Sequence, residues 1–387
     1  MTNSFVSKSW HVYNLKIEGH RQLLVALSIG AFAIIHLVHA QPDQQGFISL
    51  DCGLPANECP YTDSITGLTF LSDTNFIQSG NRGEAGDDET YIYRQYKDLR
   101  YFPDGIRNCY NLTVNTGINY LIRAGFSYGN YDGLNTNPIF DMYVGPNLWA
   151  AVDLRLKNDH EIIYMSKSNY LDICFVKTGE TIPMISTLEL RPLRNESYMT
   201  QFGPLKLLHR RHFKSSSDGF IRYPDDVFDR KWVQYNLFEK DVNTTLNVNS
   251  STPFDIPEVV SKAAIIPINS SGPLNLYYVF PQDSEQYIIY LHFAEVQTLS
   301  ANDTREFNIV WDENIIHTAY SPKMLQSETK YNIEPIQCSK KDCFLELRRT
   351  QRSTLPPLAN AIETFLLLEF PNAETNSDDG KSLFLQT

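Results

Sequence analysis

Two stretches of this chain carry nearly the same pattern 167 positions apart. Residues 120–143 and 287–310 align without a gap, so that Tyr120/Tyr287, Ile122/Ile289, Phe126/Phe293, Asn135/Asn302 and Phe140/Phe307 coincide. A second echo, ISTLELRPL at 185–193 and IETFLLLEF at 362–370, closes each half with a short apolar strand. Solenoid units run to roughly 20–50 residues, so so long a period describes two complete domains of one ancestry. The echoes and their surroundings are runs rich in Ile, Val, Tyr and Phe, broken by Gly, Pro and Asn, and no long helical pattern intervenes. The chain is read as all-β: a tandem of two β-sandwich, jelly-roll-like domains. Repeat one is placed at 47–193, a linker at 194–217, repeat two at 218–370 and a tail at 371–387. Phe126 should overlay Phe293 and Phe140 should overlay Phe307, all pointing inward, in two sandwiches that do not share one continuous sheet.

The compartment follows from the N-terminus. Residues 23–38 (LLVALSIGAFAIIHLV) are uncharged and apolar, follow Lys16 and Arg21, and precede Val38-His39-Ala40, which suits cleavage before Gln41. Segment 1–40 is read as a secretory signal, with an uncleaved signal anchor as the alternative because the run approaches spanning length. Six N-x-Ser/Thr sequons, at Asn111, Asn195, Asn243, Asn249, Asn269 and Asn302, agree with a secreted or cell-surface glycoprotein. The six cysteines all follow the signal and permit fifteen pairings. Cys338 with Cys343 reads as a local clasp, Cys109 with Cys174 as a cross-strand bridge, and Cys52 with Cys59 as a loop closure. No Cys-x-x-Cys occurs, so no metal is expected. A formal charge of −12 argues against nucleic acid, whose affinity comes from Lys and Arg replacing counterions. His209-Arg-Arg-His212 is read as solvated linker or interdomain salt-bridge face, not as a metal pair.

A run of ordered motifs makes the chain recognisable. SLDCG at 49–53, DSITG at 63–67, LRYFP at 99–103, RNCY at 107–110, YGNYDG at 128–133, LELRPL at 188–193 and RYPDD at 222–226 resemble the malectin-like ectodomain of plant leucine-rich-repeat receptor-like kinases. The resemblance spans residues 47–379. It implies two malectin-type sandwiches side by side, a cell-surface location and a ligand-sensing role. In that family leucine-rich repeats, a membrane span and a kinase follow, whereas none of the kinase signatures stands here. A truncated receptor, a splice product and a secreted decoy all remain open, and a membrane partner is expected only through an uncleaved anchor or a longer receptor form.

Catalysis finds little support in the residues. Gly125-Phe-Ser127-Tyr-Gly129 matches the G-x-S-x-G nucleophile elbow in form, but that motif needs a helix directly after the serine. Asn130, Asp132, Gly133 and Asn135 follow instead, which is loop chemistry. The acidic run Glu84, Asp87, Asp88 and Glu89 reads as a solvated loop before it reads as a calcium loop or a glycosidase pair. No catalytic residue and no cofactor is assigned; the expectation is a non-enzyme.

Binding has a better candidate. Sugars are gripped by aromatic faces with Asp and Asn oxygens on their hydroxyls, and Tyr128, Asn130, Tyr131 and Asp132 put these groups on one loop. Packing at the sandwich rim is the competing role for these tyrosines. Tyr93, with Tyr96, could form an opposite wall. The animal sugar-binding malectin, which this family resembles, carries two aromatics after the strand matching Phe293-Ala-Glu-Val296. Repeat two has Gln297 and Thr298 there, so a glycan site belongs in repeat one. The partners considered are a cell-wall glycan, a peptide ligand, or a co-receptor protein docking in an interdomain cleft lined by residues 206–214, Phe213, Phe220 and Tyr223.

Overall fold

The computed structural model describes residues 44–86, 93–213, 220–237, 239–278, 285–338 and 343–371. The signal segment 1–40, the acids Asp87, Asp88 and Glu89, Lys214 and the tail from 372 lie outside the described residues. No helix among the described residues is long and apolar enough to cross a membrane.

The sandwich strands of the first half are β1 (Ile48–Asp51), β2 (Arg107–Thr113), β3 (Asn119–Gly125), β4 (Ile139–Val144), β5 (Asn147–Asp153), β6 (Asp159–Met165), β7 (Tyr170–Val176) and β8 (Thr187–Pro192). Those of the second are β9 (Leu205–His212), β10 (Leu274–Tyr278), β11 (Gln286–Phe293), β12 (Phe307–Trp311), β13 (Asn314–Tyr320), β14 (Glu328–Tyr331), β15 (Cys343–Arg349) and β16 (Ala361–Leu367). Each half stacks two four-stranded layers in the same order: β1-β8-β3-β6 over β2-β7-β4-β5, and β9-β16-β11-β14 over β10-β15-β12-β13. The layers hold because alternate side chains face each other across a shared core. In β4, Phe140, Met142 and Val144 point inward while their neighbours face outward. The repeat is physical as well as textual. Phe126 meets Phe140 at 5.7 Å and Phe293 meets Phe307 at 5.6 Å between ring centroids, and all four are buried. Cys109–Cys174 bridges β2 to β7, and Cys338–Cys343 closes its short loop.

The halves are not separate sheets, and this corrects the expectation. β6 pairs with β9 at Ile162↔Lys206 and Ile163↔Leu205, which fuses the two inner layers into one 13-stranded sheet. β9 lies inside the interval 194–217 read as a linker; it is the first strand of the second sandwich, in the place β1 holds in the first. Both faces of this sheet are covered, which is why β3 and β11 are buried along nearly their whole length. One face makes the two sandwich cores. The other carries a third core in which Leu121 and Ile163 of the first half meet Ile288, Tyr290 and Phe365 of the second under Tyr198, Trp232 and Phe254.

Beside that third core runs a buried ion network. Arg123 pairs with Glu161 (3.0 Å) and Glu189 (2.7 Å), and Asp229 takes Arg222 (2.7 Å) and Arg191 (2.9 Å). Arg210 reaches Glu161 of β6 at 2.8 Å and Glu363 of β16 at 2.6 Å, tying the halves together. The HRRH stretch is thus strand and interdomain ion bridge, not solvated linker. The third disulfide is also corrected: Cys52 and Cys59 are unbonded. Cys52 is buried beside Tyr110 and Asp73, whereas the Cys59 sulfur accepts the Ser72 N–H at 3.1 Å, so the two thiols are engaged by different neighbours.

Candidate functional site

The loop between β3 and β4 is fixed by its glycine. Gly129 has φ +47°, and a Cβ there would lie 2.6 Å from Ala85 Cβ and 2.7 Å from Gly86 N. That close approach, open only to glycine, lets the Gly86 N–H donate to Gly129 O at 2.8 Å and clamps the loop to the neighbouring chain.

A cleft of about 840 Å³ opens beside the loop. Its lining includes the rings of Tyr93, Tyr96, Phe126, Tyr128 and Phe220, the amides of Asn130, Asn135, Asn137 and Asn158, and Leu154, Asp159, Arg222 and Lys231. Tyr93 stacks on Phe220 at 5.9 Å, so the two halves build one wall together. Lys231 sits 3.6 Å from Asp159 and rests on the rings of Phe220 and Tyr96 at 5.6 and 5.9 Å. Arg222 is fully committed to Asp229 and Glu189. Burial raises the hydroxyl pKa of Tyr93, and burial with the bond to Asp132 raises that of Tyr128, so both remain neutral donors.

Of the residues the sequence singled out, Tyr93, Tyr128 and Asn130 line the cleft. Tyr131 and Asp132 do not. Tyr131 packs its ring 4.9 Å from Tyr101 and 5.7 Å from Tyr128, with its hydroxyl buried and unpaired among the described residues. Asp132 accepts the Tyr128 hydroxyl at 2.6 Å and the Leu134 N–H at 3.0 Å, holding the loop in shape. Asn130 is exposed, and its Oδ1 accepts the Asn135 N–H at 2.7 Å. The sequence reading missed Asn137, at the far end of the same loop, and Asn158, Asp159 and Lys231, which other segments bring to the cleft. Among the cleft candidates Phe220 contributes, but Tyr223 is buried against Phe47, 6.0 Å away, and Phe213 lines a separate cavity of about 700 Å³.

The equivalent loop of the second half is closed. Glu295 is buried against Arg305 at 2.6 Å, and Gln297 Oε1 accepts from the same guanidinium at 2.8 Å. The Ser127 hydroxyl is buried without a hydrogen-bond partner among the described residues, and turns rather than a helix follow it. All six sequon asparagines, Asn111, Asn195, Asn243, Asn249, Asn269 and Asn302, are exposed.

The fold is a double β-sandwich whose two sandwiches are fused through one sheet, with a cleft beside the loop between β3 and β4. The malectin-like domain model matches residues 50–367, and the chain belongs to the malectin-like family. It is 67% identical over 364 residues to a probable LRR receptor-like serine/threonine-protein kinase of Arabidopsis thaliana, and 48% identical over 374 residues to a receptor-like protein kinase of the same plant. Each alignment covers 94% of this chain and 41% of the relative, so the chain spans about two fifths of the length of these relatives. Among solved structures the ANX2 ectodomain of Arabidopsis thaliana shares the fold with a TM-score of 0.71 at 17% identity, over 85% of this chain and 99% of that one. A structure described as the plant peptide RALF23 in complex with FER and LLG2 matches with a TM-score of 0.65 at 18% identity, over 84% of this chain and 96% of that one.

Proposed function

We propose that this chain is the extracellular, non-catalytic ligand-binding module of a receptor-like kinase type protein, and that its cleft takes a neutral cell-wall glycan. The observation that carries this reading is the lining: tyrosine and phenylalanine rings share the cleft with exposed asparagine amides, and the two cations present are held by carboxylates. Aromatic faces stack on sugar C–H surfaces while amides satisfy hydroxyls in both directions. Export through segment 1–40 and N-glycans at the six exposed sequons complete the picture of a cell-surface protein. Sequential screening on a glycan array, then calorimetry with the best glucan oligomer, tests it. Tyr96→Ala and Asn158→Ala should each weaken binding several-fold or more, and Gln201→Ala, outside the cleft, should not. No binding on the array, or equal loss in all three variants, overturns it.

A second reading has its own support. A fold neighbour is described with a peptide and a third protein, so docking of a peptide or co-receptor is the alternative use of this module.

A further inference from the structure

Asn243-Thr244-Thr245 is one of the six sequons, and the fold places it unlike the other five. Asn243 ends the short strand Lys240–Asn243, which pairs antiparallel with Ala263–Ile266, so that Asn243 stands opposite Ala263. The next residue is fixed as well, because the Thr244 N–H donates to Lys262 O at 2.9 Å. Of the six sequon asparagines only Asn243 lines the cavity of about 700 Å³ beside Phe213, and none lines the cleft. Its side-chain amide makes no hydrogen bond among the described residues. By contrast Asn111 Nδ2 donates to Asp172 Oδ1 at 2.6 Å, and Oδ1 of Asn249 and of Asn269 accepts the N–H of Ser251 and of Ser271.

The chemistry of the cavity narrows its occupant. Its volume falls within the roughly 300–1,000 Å³ of small-molecule sites. Phe213, Val242 and Val259 bring apolar surface, and Asp225 and Asp241 bring carboxylates that make no ion pair or side-chain hydrogen bond among the described residues. The lysine there, Lys262, is taken by Glu258 at 2.9 Å. Ionised carboxylates only accept hydrogen bonds, so free acceptors beside apolar surface suit a neutral group rich in hydroxyl and amide donors, not an anion. A metal needs more ligands than these two acids, and among the described residues no three acids, histidines or cysteines gather as such a site requires.

We propose that this cavity is filled by the chain's own N-glycan: the first two N-acetylglucosamine residues on Asn243 lie back into it, with their acetyl methyls and C–H faces on Phe213, Val242 and Val259 and their hydroxyl and N–H groups on Asp225 and Asp241. The proposal rests on the reading of the chain as an exported glycoprotein. Attachment at a lining residue makes the encounter intramolecular, so weak contacts hold the sugar at high effective concentration. The fixed backbone at Asn243 and Thr244 lowers the ordering cost further. The glycan then becomes a structural part of the second sandwich, covering Phe213 and Val242 at the margin of its core.

The test uses the whole chain secreted from cells treated with a mannosidase inhibitor, so that its glycans stay oligomannose and endoglycosidase H can cut between the first two sugars. Glycopeptide mass spectrometry should find Asn243 occupied. On the native chain its glycan should be cleaved about tenfold more slowly, or slower still, than glycans on the other exposed sequons, and at the same rate after denaturation. Thr245→Ala removes the sequon and leaves Asn243 in place; it should lower Tm by about 2 °C or more, whereas Ser271→Ala, which removes the Asn269 sequon, should not. Asp225→Ala with Asp241→Ala, at two exposed positions, should keep the glycan and abolish its protection. An unoccupied Asn243 beside occupied sequons elsewhere overturns the proposal and leaves the export reading standing; no glycan at any sequon overturns both. Native cleavage at Asn243 as fast as elsewhere, an unchanged Tm in Thr245→Ala, or protection that survives loss of both carboxylates also overturns the proposal.

Discussion

Arg210→Met removes the guanidinium that joins Glu161 of β6 to Glu363 of β16, and it does so in the buried interior. Arg210 is 2% exposed, and its partners Glu161 and Glu363 are 4% and 0% exposed. Removing one member of a buried ion pair costs about 3–5 kcal/mol, because the remaining charge is left in a low dielectric. The lower end applies here. Glu161 keeps Arg123 at 3.0 Å, and Glu363 keeps the Tyr198 hydroxyl at 2.8 Å and His292 at 3.2 Å. The expected loss is therefore about 3 kcal/mol, roughly a hundredfold in the folding equilibrium. Methionine preserves the stem, so lost packing adds little. Equilibrium urea unfolding reports it through Trp232, which lies in the same buried core. The pH dependence has a definite sign. Burial alone would raise the Glu363 pKa, but Arg210, His292 and Arg230 outweigh it and hold the carboxyl well below its usual range. A carboxylate depressed in the folded state contributes stability above its unfolded pKa and loses it as the pH falls. In Arg210→Met the carboxyl moves back up, so the variant has less of this contribution to lose and its deficit narrows as the pH falls below the usual glutamate range. The double variant Arg210→Met, Glu363→Gln should recover about 1–2 kcal/mol by removing the stranded charge. A loss below 1 kcal/mol at pH 7, or a deficit that widens on acidification, would refute the reasoning.

Four further outcomes are expected. Quantitation of thiols in denatured, unreduced chain should find Cys52 and Cys59 free, with Cys59 alkylated first in the native state because Cys52 is buried. Cys109→Ala with Cys174→Ala should cost about 2–5 kcal/mol by urea unfolding, since the bridge spans 65 positions. Phe126→Ala and Phe293→Ala should each cost about 3–5 kcal/mol, because equivalent cores lose equivalent rings. Tyr131→Ala should lower stability measurably while leaving glucan affinity less affected than Tyr96→Ala, because Tyr131 is packed under the loop and Tyr96 lines the cleft.

The fold was largely legible because the echo samples its most constrained part. β3 and β11 are buried on both faces, so few residue types fit them and the two copies still match. The fused sheet was not legible. LKLLHRRH at 205–212 reads as a solvated linker or an interdomain salt-bridge face, and its strand is hidden because hydropathy counts every arginine as exposed. What buries Arg210 is a set of carboxylates more than forty positions away on either side, Glu161 and Glu363, and no local pattern announces them. The cysteines show the same limit. Cys52 and Cys59 are close in sequence, which suggested a loop closure, but Cys52 belongs to the first sandwich core and its neighbours are set by that packing.

The candidate site shows what one copy gained that the other did not. Both loops begin at the same point, just after a core phenylalanine on the strand that carries the echo. In the second copy Glu295 and Gln297 turn inward onto Arg305, so their polar groups are spent on each other and the position is sealed. In the first copy Ser127 replaces Ala294 in the alignment, glycine follows at 129, and the loop leans on Gly86 instead of on a salt bridge. That choice leaves Tyr128 half exposed, with its hydroxyl oriented by Asp132, and it leaves space that Phe220 and Lys231 of the adjoining segment can reach. The sequence pointed to a loop that borders the cleft because aromatics and asparagines gather there. It chose Tyr131 over Tyr96 because adjacency in a motif says nothing about which ring the fold turns outward; the 3-10 turn Arg94–Tyr96 supplies that ring from outside the motif. A cleft built from one loop of the first sandwich and the segment that enters the second exists only while the sheet is continuous. The glycan binding proposed for the cleft would therefore be coupled to the β6–β9 junction, and a change that loosens the junction should reach the cleft without touching its lining.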